Sequence, residues 1–213
     1  MPPWCVWLLV VVAGPLWVGD AWAGDAWMGE YRIRDAQGER ELILVRDDTR
    51  IEYRVPGQPV RVWRRTADGI ELRELYVGDK RMVVYEPGDL RALAYAPDWT
   101  QLSGLVDPAL RARLTEKGKA SALGRPIVRY RGADAQGARI ELDWLPEADM
   151  PMRLAMGKSR AGDAIRLQRL ERIPAERAFS AIDGLLELDH ADLGDMELDP
   201  FVRSLSHADH AAH

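Results

Sequence analysis

Cysteine is nearly absent from this 213-residue chain, and the single one, Cys5, lies close to the amino terminus. It falls in an apolar run, from Trp4 to about Val18, that is followed by small residues ending in Ala21-Trp22-Ala23. A short apolar run followed by an A-x-A sequence is typical of a secretory signal peptide. We therefore expect export to the periplasm, cleavage after Ala23, and a mature chain without a thiol, a disulfide or a thiolate metal site.

Basic residues are missing from this leader, so only the initiator amine supplies positive charge there. An uncleaved membrane anchor is the alternative interpretation. The apolar run is shorter than the ~20 residues that a membrane span needs, and no basic group follows it. We expect a signal peptide at 1–23, one domain at 24–206 and a histidine-containing tail at 207–213.

Catalytic motifs are absent as well: the chain has no G-x-S-x-G elbow, no H-E-x-x-H pair and no phosphate-binding glycine loop. A Ser-His-Asp site that joins His190 to Ser103 or Ser180 is an alternative that no motif supports. Without the leader, the chain has 29 basic and 33 acidic side chains and lacks the basic stripe that suits nucleic acid. We predict a protein that is not an enzyme and has no nucleic-acid partner.

From Trp27 onward, polar and apolar residues alternate and turn residues recur at short intervals, as at Pro56-Gly57 and Pro87-Gly88. The runs between the turns are rich in Val, Ile, Tyr and Trp, as in half-buried antiparallel strands. The pattern gives about ten strands. It predicts a mainly β fold in which a curved antiparallel sheet forms an open half-barrel.

One helical insertion interrupts the strands at 98–119. Its apolar residues have helical spacing at Leu102, Leu105, Leu110 and Leu114. Asp107 followed by Pro108 is a helix-start signal. We predict a short helix, a break, and a second short helix ending near Gly118, which together cover the concave face of the sheet.

The acidic segment from Asp189 to Asp199 admits two interpretations, ion binding and helix capping. It lacks the spacing of a calcium loop. Asp199 followed by Pro200 repeats the cap-plus-proline signal, and an apolar stripe follows at Phe201, Val202 and Leu205. This pattern predicts a closing strand and a short C-terminal helix that docks on the sheet.

The segment ELRELYVGDKRMVVYEPGDLRAL, residues 71–93, has the order strand, Asp-Gly-type turn, aromatic-rich strand ending in Pro, then another strand. In this order, and in the strand pair at 43–55, the chain resembles the LolA/LolB-like periplasmic lipoprotein-carrier superfamily of outer-membrane lipoprotein sorting. The resemblance implies an open β half-barrel whose apolar concave side is covered by helices. The chain departs from the family in two ways: its first strand begins almost at the cleavage site, and Asp47 occupies the slot of a functional arginine, with Arg46 off register.

Aromatic and methionine side chains are the candidates for a ligand-binding cavity, because a covered concave sheet must either fill its hollow or leave a slot. The candidate residues are Trp63, Tyr76, Tyr85, Trp99, Leu102, Leu105, Trp144 and Met152. Ordinary core packing is the alternative. We predict a periplasmic protein that carries a lipophilic ligand or a lipoprotein segment. An envelope-stress sensor or scaffold that uses the same cavity is a further alternative.

The tail carries three histidines as metal candidates, His207, His210 and His213. Imidazole suits Cu, Ni or Zn, so a metal-handling or metal-responsive role is a second hypothesis. A polar C-terminus without a ligand is the alternative.

Calorimetry with Cu(II) and Zn(II) separates these two interpretations of the tail. A metal-binding tail predicts that the full chain binds and that a chain truncated after Leu205 loses that affinity. Equal affinity in the two chains would dismiss the tail as a metal site.

Overall fold

The computed structural model of the protein describes residues 24–35, 38–134, 136–157 and 164–211, with the main chain alone for 35, 164 and 206–211. The predicted leader and its cleavage after Ala23 therefore lie outside the described residues. His213 and the side chains of His207 and His210 lie outside them too.

Within these residues, twelve strands form one open, curved sheet. They are β1 (Asp25–Asp35), β2 (Gly38–Arg46), β3 (Arg50–Arg54), β4 (Val60–Thr66), β5 (Gly69–Tyr76), β6 (Arg81–Tyr85), β7 (Thr115–Ala122), β8 (Arg125–Ala133), β9 (Arg139–Leu145), β10 (Met150–Met156), β11 (Ala164–Pro174) and β12 (Leu186–Asp189). The order across the sheet is β12-β6-β5-β4-β3-β2-β1-β11-β10-β9-β8-β7. Neighbours run antiparallel except β12, which lies parallel to β6. The edge strands β12 and β7 do not pair with each other, so the predicted mainly β, unclosed sheet is confirmed.

Five helices accompany the sheet: α1 (Pro87–Ala92), α2 (Trp99–Gly104), α3 (Pro108–Arg113), α4 (Ala175–Ala178) and α5 (Pro200–Ala211). Two 3₁₀ turns, Val77–Asp79 and His190–Met196, complete the described secondary structure. The helix start at Asp107-Pro108 is confirmed, because the Asp107 side chain accepts a hydrogen bond from the Ala109 amide at 2.7 Å.

The predicted end of the second helix in this insertion is wrong. The second helix ends at Arg113 rather than near Gly118, and β7 follows at once. This strand has only small apolar residues, and a β-bulge between Glu116 and Gly118 breaks its alternation. Lysines and bulges are common devices on edge strands, and they weaken the sequence signal.

The strand expected after Pro87 is also wrong, because residues 87–92 form α1. Glu86 and Asp89 make a capping box, and Pro87 occupies the first turn. Both features are helix-start signals that outweigh the resemblance to a strand.

The main core lies on one face of β1–β5, here called the inner face and defined by Tyr31, Leu44, Ile51, Trp63 and Leu72. Each of these side chains is at most 8% exposed. Leu90 of α1 and Leu102 of α2 pack into the same cluster, so these helices cover the inner face. A neighbouring cluster that includes Leu114, Leu142 and Trp144 lies beside α3.

The opposite, outer face of the same strands is covered by residues 175–185, the outer strap. A buried carboxylate holds it: Glu52 accepts hydrogen bonds from the Ser180 hydroxyl at 2.8 Å and from the Ser180 amide at 3.0 Å. Arg54 forms an ion pair with the same carboxylate, and Arg50 lies over the Phe179 ring. Because Glu52 is 0% exposed, these partners offset the cost of burying its polar group.

The C-terminal segment from β12 to α5 forms a clasp at the β6 edge. Phe201 is buried against the ring of Tyr76, with centroids 5.0 Å apart, and Val202 and Leu205 pack beside it. The Asp199 side chain accepts a hydrogen bond from the Phe201 amide at 2.8 Å and pairs with Arg81 at 2.8 Å. The predicted docking helix and its cap are confirmed, although its main chain runs on to Ala211.

The clasp should loosen in acid. The hydrogen bond from Arg81 holds the pKa of Asp199 below its usual range, so its contribution to folding is present above the unfolded pKa of about 3.9 and is lost as pH falls through the folded value. Asp199→Asn keeps a capping side chain but removes the charge. We expect this variant to lose part of the acid dependence of the melting temperature, measured by circular dichroism between pH 7 and 2.

Asp195→Asn, an exposed change in the adjacent 3₁₀ turn, is the matched control and should behave as the parent protein does. Identical pH profiles for the parent and Asp199→Asn would contradict this role for the ion pair.

Candidate ligand-binding site

Six of the eight predicted cavity residues converge on the inner face. Trp63, Leu102 and Met152 are buried there, and Tyr85, Trp99 and Leu105 pack against them half-buried. Tyr76 lies instead in the clasp beside Phe201, and Trp144 lies in the cluster beside α3. The sequence therefore located most of one continuous apolar surface, and its role in binding stays a prediction.

The helix α2 is the element that closes this surface. The Asp98 side chain caps it by accepting a hydrogen bond from the Gln101 amide at 2.7 Å. At its other end, Leu105 has φ 55°, a left-handed conformation that is uncommon for a residue with a bulky side chain. A helix of six residues is not stable alone, so its position depends on the side chains it buries.

Three contacts hold α2 in place. Leu102 enters the main core, and the Tyr53 hydroxyl donates a hydrogen bond to the Leu102 carbonyl oxygen. Arg65 lies over the Trp99 ring, 4.4 Å from its centroid. The hollow beneath α2 is thus filled by the protein's own side chains.

Trp63 is the unusual residue beneath this cover. Its ring meets the Tyr53 ring edge-on, with centroids 4.5 Å apart, and it is only 3% exposed. In the part of the chain that the structure describes, its indole Nε1–H has no hydrogen-bond partner. A buried donor without a partner costs about 1–3 kcal/mol. The surface under α2 therefore offers an unused hydrogen-bond donor.

The phenol groups nearby are donors as well. Burial raises the pKa of both Tyr31 and Tyr53, so their hydroxyls stay protonated across the physiological range. The Tyr31 hydroxyl donates to the Pro151 carbonyl oxygen at 3.1 Å. An oxygen acceptor that entered beneath α2 would meet neutral O–H and N–H groups.

Arg46 is a residue that sequence reasoning missed. It is the last residue of β2 and lies on the same face of the strand as Leu42 and Leu44. It donates hydrogen bonds to the carbonyl oxygens of Ala148 and Asp149. An arginine at an inward position of an alternating strand was the available signal. Its Nε is buried and has no hydrogen-bond partner among the described residues.

In the part of the chain that the structure covers, no group of three or more His, Cys, Asp or Glu side chains could hold a metal ion. The side chains of the three candidate histidines are not in that part. Of the helices described, none is both long and apolar enough to cross a membrane.

The fold and this surface define a class of protein: an open, curved β-sheet whose apolar inner face is closed by short helices. No protein-family model and no curated protein sequence matches the chain. Among solved structures, it is similar to an uncharacterized conserved protein from Thermus thermophilus, with 13% identity, 78% of this chain and 90% of that chain covered, and a TM-score of 0.47.

Two further solved structures are similar to the chain at lower TM-scores. The MucA/MucB complex of Pseudomonas aeruginosa matches at 15% identity and a TM-score of 0.42, over 76% of this chain and 57% of that chain. A domain assigned to outer membrane lipoprotein sorting in Vibrio parahaemolyticus matches at 9% identity and a TM-score of 0.21, over 72% of this chain and 86% of that chain. The resemblance to the lipoprotein-carrier superfamily stays a prediction from the sequence, and what this chain binds is argued from its own geometry.

Proposed function

We propose that this protein is a non-enzymatic periplasmic binding protein that takes an acyl chain between α2 and the inner face of the sheet. The observation that carries the proposal is the unpartnered indole N–H of Trp63, buried beneath a cover of six residues. A core that served packing alone would place an apolar ring or a paired donor there.

The energetics favour exchange of one apolar occupant for another. Leu102 and its neighbours fill the hollow in this structure. Displacing α2 exposes apolar surface, and a hydrocarbon chain that replaces it recovers ~25 cal/mol per Å² buried. Because the cover is short, its movement disturbs few hydrogen bonds of the sheet.

The polar groups suggest how such a chain is joined to the rest of its molecule. When α2 moves, the Tyr53 hydroxyl loses its acceptor on Leu102, and the Trp63 N–H is already unpaired. An ester or amide carbonyl satisfies such donors, whereas a plain hydrocarbon does not. A lipid ester, or the acylated end of a lipoprotein segment, therefore fits the surface.

The proposal predicts saturable uptake of a fluorescent fatty-acid ester by the purified protein. Leu105→Glu should weaken this uptake roughly tenfold or more, because it places a charge at the edge of the apolar surface. Fluorescence titration measures both affinities.

Leu123→Glu is the matched control, since Leu123 also has a positive φ, 50°, but is 56% exposed in the turn between β7 and β8. It should bind as the parent protein does. An absence of saturable uptake by the parent protein would refute the carrier role, and equal weakening in both variants would show that Leu105 has no special part in it.

A further inference from the structure

A cleft of about 480 Å³ opens at one end of the sheet, where β1 begins and β2 ends. Its walls are the first residues of β1, the β2–β3 turn at 47–49, the β9–β10 turn and the end of β11 at Arg172. Small-molecule sites have volumes of roughly 300–1,000 Å³, so the cleft has the size of a binding site.

Arg46 lies at the inner end of this cleft. Among the described residues, its hydrogen bonds reach main-chain oxygens, those of Ala148 and Asp149, and its Nε is buried without a partner. Burial lowers the pKa of its guanidinium, while the more distant Asp149 and Asp48 carboxylates act in the opposite direction. A partly buried charge is costly unless it is paired, so the position beside Arg46 favours an anionic group.

The outer part of the cleft is lined by carboxylates. Five carboxylates line the cleft against two guanidiniums, the carboxylates being those of Asp25, Asp47, Asp48, Glu147 and Asp149. Four of them already form ion pairs with arginines: Asp25 with Arg172 at 3.3 Å, Asp47 with Arg50 at 3.2 Å, Glu147 with Arg125 at 2.7 Å and Asp149 with Arg111 at 2.9 Å. Asp48 is exposed at the rim. The cleft therefore presents the positive charge of Arg46 at one position and the exposed negative charge of Asp48 at another.

We propose that the cleft binds the zwitterionic head of a phospholipid-type amphiphile, with its phosphate against Arg46 and its ammonium against Asp48 at the rim. A primary ammonium suits the rim better than a quaternary one, because carboxylates accept hydrogen bonds from its N–H groups. The half-buried indole of Trp27 lines the same cleft and provides a wall for the carbon atoms between the two charges.

The cleft meets the main core, because Ala148 lines it and is also buried in that cluster, and Trp27, which lines it too, packs against the same cluster. Tyr53, another residue packed against this cluster, donates a hydrogen bond to α2. A head bound in the cleft thus directs its tail toward the surface that α2 covers. This inference rests on the proposed function, because the tail occupies the acyl-chain surface.

The test compares three single-chain amphiphiles of equal chain length below their micelle concentrations. They are a lysophosphatidylethanolamine, a lysophosphatidylglycerol and an alkyltrimethylammonium salt, and each is titrated calorimetrically into the purified protein. We expect the zwitterion to bind about tenfold more tightly than either singly charged amphiphile, which is the effect of about one charge-assisted hydrogen bond.

Two variants test which residue contacts each charge of the head group. Arg46→Gln should weaken binding of the zwitterion and the anion about tenfold and leave the cation unaffected. Asp48→Asn should weaken the zwitterion and the cation and leave the anion unaffected. Arg129→Gln, at an exposed position on β8, is the control and should change none of the three affinities. Asp48 is exposed, so this variant tests the proposal even if Arg46→Gln fails to fold.

The outcomes separate the two proposals. Equal affinity for the three heads, or an anion preference that neither variant alters, overturns the head-group proposal and leaves the acyl-chain function standing. Binding of none of the three amphiphiles overturns the proposed function itself.

Discussion

An unclosed sheet must cover its apolar inner face, and here the cover consists of two helices, α1 and α2, of six residues each. Helices of this length are not stable alone, so they are held by caps and by single inserted side chains such as Leu90 and Leu102. The sheet is extensively hydrogen-bonded and the cover is not. This difference in stability is the physical basis for a surface that opens while the fold stays intact.

The two faces of the sheet also differ in whether their buried polar groups have hydrogen-bond partners. On the outer face, Glu52 is fully buried, and Arg54 and Ser180 bind its carboxylate, as a structural anchor requires. On the inner side, Trp63 and Arg46 each have a buried nitrogen without a partner among the described residues. Buried polar groups are usually paired, so the exceptions indicate where a ligand supplies the missing acceptors.

The sheet was largely predictable from the sequence because its strands alternate regularly and its turns use Gly, Pro and Asp. The apolar surface followed from the same alternation, with Trp63 and Leu102 in the right cluster. β7 was not predictable, because small side chains and a bulge hide its period. The cleft was not predictable either, because Trp27, Arg46 and Arg172 come together only when distant strand ends meet. Local patterns give elements, whereas a site between strand ends depends on the register of the whole sheet.

Amide hydrogen exchange tests most directly the claim that α2 is a movable cover over an acyl-chain surface. The account predicts that amides of 99–105 exchange through local opening, well before those of β4 and β5, and that saturating fatty-acid ester changes exchange at 99–105 while α5 is unaffected. Exchange at 99–105 that occurs only with global unfolding, at the rate of β4 and β5 and without response to the ester, would contradict it.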